Sequence, residues 1–196
     1  MKLKTITSLI LIQAILMVAC VEKEAPNSAK PKGYFRIATP PPTYQKWDSV
    51  LPFTFEYSKF ATFSIPKNDG KKYWMDLYYP QYNASLKMTL MPLENNLREL
   101  VVNEEKMLMF HVESRKADDI QYSYIQDPSA KLYGQMYELE GKGAATPLNF
   151  WVTDSVNYYI RATLYFNFAP NNDSLEPVIK YLKTDVLHMI DTWTWK

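Results

Sequence analysis

The chain has one cysteine, Cys20, in 196 residues, so no internal disulfide can form. Glycine is scarce, at five. No phosphate-cradling glycine loop, nucleophile elbow or HExxH run occurs, which removes the usual signatures of nucleotide chemistry, α/β-hydrolase catalysis and zinc proteolysis. Only two histidines are present, His111 and His188. Each falls on the core side or flank of an expected helix, where a structural role outweighs a catalytic one. Positive charge is not in excess: 22 basic residues against 21 acidic leave +1, which suits neither nucleic acid nor an anionic membrane surface as a partner. No apolar run reaches the roughly 18 residues that a spanning helix takes. No metal site is expected; Asp118-Asp119 could join a cation site, but adjacent acids at the start of a strand are ordinarily a solvated turn.

What is present begins with Lys2 and Lys4, followed by an apolar run from Ile6 to Val18 that ends in Met17-Val18-Ala19-Cys20. A positive n-region, a short apolar h-region and a small residue before the cut are the three parts of a secretory signal. Val18 and Ala19 suit a peptidase that cuts directly before a cysteine, so the stretch resembles a bacterial lipobox, with Met17 where Leu is usual. Cys20 would become the first residue, carrying a diacylglyceryl thioether and an acylated amine. The competing readings are a buried core cysteine and a free thiol left after cleavage; the position directly after an Ala-terminated apolar run favours lipidation. Acyl chains contribute about 0.8 kcal/mol per buried CH₂, and two or more anchor stably. The expected protein is therefore tied to a membrane without spanning it, and apart from this covalent lipid no cofactor is expected. Val21-Glu22-Lys23-Glu24 lacks an Asp directly after Cys20, the inner-membrane retention signal of some bacteria. The periplasmic face of the outer membrane is the favoured location, with the inner membrane and the cell surface as alternatives.

Removing the signal, residues 1–19, leaves 177 residues and, with Lys2 and Lys4 gone, a formal charge of −1. That is enough chain for one compact domain, expected over residues 33–196. Residues 20–32 form the lipidated cysteine and a flexible tether: VEKEAPNSAKPK is charged, carries two prolines and lacks aromatics. Without a disulfide, stability must come from burial, and 15 Tyr, 9 Phe and 5 Trp supply large apolar areas.

Gly33-Tyr34-Phe35-Arg36-Ile37 reads as a first strand, ended by Pro40-Pro41-Pro42 in an extended segment. Period-two alternation then marks strands with Phe53, Phe55 and Tyr57 inward, and with Ala61, Phe63 and Ile65 inward. Asn68-Asp69-Gly70 is a turn. Tyr73, Met75, Leu77 and Tyr79 alternate with Trp74, Asp76 and Tyr78, and Leu86, Met88 and Leu90 repeat the inward set, so Pro80 to Asn83 joins a hairpin. From residue 94 to about 110 the period becomes helical, with Leu97, Leu100, Val101, Met107, Leu108 and His111 on one face and Arg98, Glu99, Glu105 and Lys106 outward. Asn95 or Asn96 can cap it. Four strands follow near 120–126, 131–139, 147–153 and 157–168, punctuated by Asp127-Pro128-Ser129 and Gly141-Lys142-Gly143. A second helix spans about 175–192, with Asp173 and Glu176 at capping-box spacing, Pro177 in the first turn, and Val178, Ile179, Leu182, Val186, Met189, Ile190 and Trp193 in one stripe. This order predicts an α+β fold, a single domain with an antiparallel sheet and two main helices. By analogy it resembles the PsbP/Mog1-like sandwich.

Three triplets, at Ser49, Ser155 and Ser174, resemble the Asp-Ser/Thr-apolar acceptor of O-glycosylation in exported Bacteroidetes proteins. Ser49, outside any firm element, is the best candidate. The aromatic excess says more. In strand 157–168, Tyr159, Arg161, Thr163 and Tyr165 lie opposite the aliphatic face, as do Trp74, Tyr78 and Trp151 in their strands. A face of Tyr, Trp and Arg has the composition of an interface core; alternatively, the second helix or a long loop covers it. A different possibility is a small-ligand or enzymatic pocket joining Trp74, Asp76, Tyr78 and Arg161. Arginine in such a strand must reach solvent, pair with a carboxylate such as Asp76, or meet a partner. Recognition is expected for Arg36 and folding for Arg161.

Pro31-Lys32-Gly33-Tyr34-Phe35-Arg36-Ile37 resembles the opening motif of the Bacteroidetes gliding-motility lipoprotein D (GldD) family. So do Trp74-Met75-Asp76-Leu77-Tyr78-Tyr79-Pro80 and the stretch from Phe150 to Lys196, of which Pro170 to Ile179 is the most specific piece. The resemblance spans nearly the whole mature chain. It implies a role in surface gliding and in the associated type IX secretion machinery, with other gliding and secretion envelope proteins as partners. It implies no enzymatic activity and supplies no catalytic residues. Cys20 carries the one chemically defined role; Tyr34, Phe35, Arg36, Trp74, Asp76 and Arg161 are motif positions.

Overall fold

The computed structural model describes residues 37–64, 67–115, 119–141, 144, 146–168 and 171–196, without the side chains of residues 111, 112, 114 and 115. Cys20, the tether, the expected strand at 33–37 with Tyr34, Phe35 and Arg36, and the side chain of His111 lie outside the described residues. Tyr34–Lys196 forms one compact unit, separate from Met1–Gly33.

Eleven strands and two helices make up the described part: β1 (Tyr44–Trp47), β2 (Phe53–Ser58), β3 (Thr62–Phe63), β4 (Lys67–Asn68), β5 (Tyr73–Tyr79), β6 (Ala84–Pro92), α1 (Leu97–Arg115), β7 (Asp119–Asp127), β8 (Leu132–Glu140), β9 (Leu148–Thr153), β10 (Tyr158–Phe166), α2 (Asn172–Asp191) and β11 (Thr194–Trp195). The large sheet runs β3-β5-β6-β10-β9-β8-β7, with β4 also on β5, and a small sheet runs β1-β2-β11. Every pairing is antiparallel. The fold is thus α+β, as the alternation of strands and helices implies.

Its inner face is built from the expected alternation. Met75, Leu77, Tyr79, Leu86, Met88, Leu90, Ile160, Ala162 and Leu164 are all buried in one core with Phe53 and Phe55 of β2 and the α2 stripe Val178, Leu182, Val186, Met189 and Ile190. Phe53 and Phe55 stack on Trp193 at 4.7 and 5.1 Å and on Trp47 at 5.3 and 5.4 Å, so aromatic rings join α2's end to the small sheet. The β5–β6 hairpin closes through a 3₁₀ turn, Pro80–Tyr82, with Asn83 at φ 46°, a left-handed value that asparagine tolerates.

Four features depart from the sequence reading. β1 and β11 form where no strand was expected, because β2 supplies the pairing partner for both. α2 starts at Asn172 with Asn171 as its cap, so Asp173 falls in the first turn and not at the cap, and Pro177 falls inside the helix and not in its first turn. The reason is backbone closure: the N–H groups of Ser174 and Leu175 both reach the Asn171 carbonyl, at 2.9 and 3.1 Å, two residues earlier than a cap at Asp173 would allow. The Asn172 amide is also drawn to the Gly141 and Ala144 carbonyls, at 2.9 and 3.0 Å. In α1, Leu108 is buried but Met107 is exposed, and Glu104 sits on the buried face. The cause is where α1 lies: its cluster of Leu108, Tyr137, Leu139 and Ala144, with Ile120 and Trp151, is on the sheet's outer face, where polar side chains meet the helix. α1, together with Ala144 of the β8–β9 loop, packs on the middle of that face.

Candidate functional site

Strand register aligns the outer-face residues into rows. Trp74, Thr89, Arg161, Trp151, Gln135 and Tyr124 follow one another across β5, β6, β10, β9, β8 and β7. Cβ alternation puts all six on one side. In the middle of the row α1 closes over the sheet. Arg161 Nε stands 3.4 Å from Glu104 Oε2, and its Nη1 donates to Met107 Sδ at 3.1 Å. Trp151 stacks on Tyr159, centroids 5.7 Å apart. Burial pushes the Glu104 carboxyl above the ordinary carboxylate range, with Arg161 pulling the other way. The Tyr159 hydroxyl is held well above its usual value, first by burial and then by the Glu104 charge.

At the ends of the row the sheet is open. Trp74 is 43% exposed and Tyr78 36%; the Tyr78 hydroxyl donates to Asn83 Oδ1 at 3.4 Å. Across the sheet, Tyr122 and Tyr124 of the edge strand β7 are 64% and 77% exposed and meet edge to face, centroids 6.1 Å apart. Asp76 lies opposite Lys87 in the ladder, and its backbone N–H donates to Ser64 Oγ at 2.8 Å. Arg161 therefore takes its carboxylate from Glu104 on α1, not from Asp76. Trp74, Asp76 and Tyr78 share β5, whereas Arg161 lies two strands away on β10 and pairs with Glu104 of α1.

A second buried charge was not foreseen. Asp185 sits on the apolar stripe of α2, 1% exposed, and neither carboxylate oxygen has a hydrogen-bond partner in bonding geometry among the described residues. The hydroxyls of Ser58 and Tyr44 face it and favour its charge, but burial wins and raises its pKa. Around it the Tyr44 and Tyr82 hydroxyls are pushed up to about 12, chiefly by burial. His188 bonds Glu56 Oε2 at 2.8 Å and stacks on Tyr44 at 3.6 Å. The only sequence signal for Asp185 is an acid at a stripe position between Leu182 and Val186.

Ser49 is half-buried, and its Oγ accepts from the Leu51 N–H at 3.0 Å. It lines a pocket of ≈ 460 Å³ with Trp47, Phe63, Asn68 and Tyr73. Among the described residues there is no group of three or more His, Cys, Asp or Glu placed to hold a metal, and no helix long and apolar enough to cross a membrane.

A search of curated proteins returned no match. Among solved structures, the solution structure of cyanobacterial PsbP (CyanoP) from Synechocystis sp. PCC 6803 is similar at 12% sequence identity and a TM-score of 0.47, the match covering 80% of this chain and 95% of that one. The profile of gliding motility lipoprotein GldD matches residues 24–195. Since that span takes in every strand and both helices described above, the chain belongs to the GldD family of gliding motility lipoproteins.

Proposed function

We propose that this gliding motility lipoprotein is a non-enzymatic component of the cell envelope that works with the type IX secretion machinery. Its anchor is the lipidated Cys20, its location the periplasmic face of the outer membrane, and its partners are other proteins of the gliding and secretion apparatus. The observation that carries the reading is the distribution of charge and aromatic surface. Among the described residues the two buried acids are Glu104, on the sheet-facing side of α1, and Asp185, on the buried stripe of α2. Four of the exposed aromatics among the described residues, Trp74, Tyr78, Tyr122 and Tyr124, stand instead on the outer face, in the manner of side chains that dock a protein.

Deleting the gene in a gliding host should abolish spreading and reduce type IX secretion, and the full chain should restore both. A deletion strain that still glides and secretes would remove the proposal. Cys20→Ser should leave the domain folded, move it out of the membrane fraction or leave it unprocessed, and end fatty-acid labelling. A labelled or membrane-bound Cys20→Ser protein would show that another feature holds it there.

A further inference from the structure

Among the described residues all the sheet edges but one are short. β3, β4 and β11 have two residues each, and β1 has four with Lys46 among them. Short or charged edges are the usual protection against pairing with another chain. The remaining edge, β7, is nine residues long and pairs with β8 alone among the described strands. From Ile120 to Gln126 it carries no charge, proline or glycine.

The register fixes where its free backbone groups point. The Leu139 N–H donates to the Pro147 carbonyl at 3.0 Å, so Leu139 turns its backbone toward β9 and away from β7. Ile120 lies opposite Leu139. The N–H and C=O groups of Ile120, Tyr122, Tyr124 and Gln126 therefore point away from β8, off the open edge. Asp119 Oδ1 accepts from the Ile120 N–H at 2.8 Å, which leaves those of Tyr122, Tyr124 and Gln126 for a further strand.

The order of side chains on this edge suits a second copy of itself. Antiparallel pairing of two β7 strands centred on Ser123 sets Tyr122 opposite Tyr124 of the second copy, and Tyr124 opposite Tyr122, while Ile120 meets Gln126. In that register the four edge-facing residues meet only one another. The N–H groups of Tyr122, Tyr124 and Gln126 then find the carbonyls of Tyr124, Tyr122 and Ile120. The tyrosines of both copies gather on the outer face, aromatic against aromatic, and Ser123 meets Ser123 on the other face, where neither side chain is large enough to obstruct. Asp119 and Asp127 come opposite each other at the two ends, exposed to water, where their repulsion is screened and stops the pairing from running on. A strand from another protein would need none of this symmetry.

We infer that two copies of this chain associate edge to edge through β7, centred on Ser123, so that one antiparallel sheet runs through both. Such a dimer does not depend on the envelope role proposed above. A single strand edge is a small interface, so the dimer is of micromolar strength and dissociates on dilution.

The test is sedimentation equilibrium of the full chain in detergent, joined to oxidative cross-linking of cysteine variants. The parent should pass from monomer to dimer between low micromolar and submillimolar concentration. Tyr124→Lys places a charge on the edge at a side chain that is 77% exposed, and should weaken association by about tenfold or more with an unchanged Tm. Ser123→Cys should give a disulfide-linked dimer above the background of the parent, whose one cysteine is Cys20. Opposed residues of a non-hydrogen-bonded pair lie about 4.5 Å apart between Cα atoms, inside the roughly 4.4–6.8 Å that a disulfide spans. Gln121→Cys, on the same face, would stand opposite Ile125, about 13 Å along the strand from its own counterpart, and should not cross-link. The inference is overturned if Tyr124→Lys dimerises as the parent does, or if Gln121→Cys cross-links as readily as Ser123→Cys. A parent that stays monomeric at submillimolar concentration would also overturn it and leave the edge to a strand of another protein.

Discussion

Arg161 and Glu104 face each other across the join between α1 and the sheet, Nε to Oε2 at 3.4 Å, with the Glu104 side chain almost wholly buried and the Arg161 side chain a quarter exposed. The pair is long-range, strand to helix, so it holds α1 against β10. Truncating Arg161 to Ala leaves a buried carboxylate without its cation. The expected cost is about 3 kcal/mol, or several degrees in Tm for a domain of this size.

The cost should depend on pH. Burial raises the Glu104 pKa, and a carboxyl whose folded pKa lies above its unfolded one takes up a proton first in the folded state. Stability is then lost as pH rises from the unfolded value through the folded one. Without Arg161 the upward shift is larger, so the Arg161→Ala deficit should be full at neutral pH and shrink toward about pH 4. Chemical denaturation of both proteins at the two pH values measures it; an equal deficit at both would show that packing, not charge, is lost.

Asp185 obeys the same sign. Its pKa is raised by burial, so its ionised form opposes folding at neutral pH and ceases to do so in acid. Asp185→Asn should stabilise the domain at neutral pH by roughly 2 kcal/mol, the scale of an uncompensated buried polar group, and by little near pH 4. A variant that melts lower at neutral pH would mean that the Tyr44 and Ser58 hydroxyls compensate the charge after all.

Gly134 in β8 lies against β9 so closely that a Cβ would fall on the Trp151 carbonyl oxygen and 3.1 Å from Val152 Cα. Both obstacles are backbone and cannot swing aside. Gly134→Ala should cost about 2 kcal/mol or more and give poor expression, whereas Gly70→Ala, at φ +90° with open space around it, should cost about 1 kcal/mol through backbone strain alone. Equal melting curves for the two would refute the distinction.

Trp74 and Tyr78 are the exposed aromatics of the β5 motif. Replacing both with Ala should change stability by no more than about 0.5 kcal/mol each while spreading is lost, as expected of residues that contact a partner. Full motility in the double variant would move the docking surface elsewhere, and the β7 pair Tyr122 and Tyr124 would be the next to replace.

The core was legible because its pattern is regular: the period-two runs of β5, β6 and β10 and the α2 stripe from Val178 to Ile190 bury the residues their spacing puts inward. β1 and β11 were hidden, since Tyr44–Trp47 follows three prolines and Thr194–Trp195 is two residues long, and pairing with β2, not local pattern, makes them strands. Arg161 was readable as a group in need of a carboxylate, solvent or a partner, but Glu104 was not readable as that carboxylate, because residue 104 reaches residue 161 only through the tertiary packing of α1. Glu104 and Asp185 ran against the rule that charge marks the solvent side of a helix. Nothing local distinguishes a buried acid from an exposed one when both sit among charged neighbours.

The small sheet joins segments far apart in sequence. β2 pairs on one side with β1, close by in sequence, and on the other with β11, whose Thr194 and Trp195 lie opposite Thr54 and Phe53. Phe53 and Phe55 stack on Trp193. Contacts of such sequence separation slow folding, because the loop must close before they form. Until residues 193–195 arrive, these rings have Trp47 on one side and lack Trp193 on the other. The same interval leaves these aromatics open to aggregation.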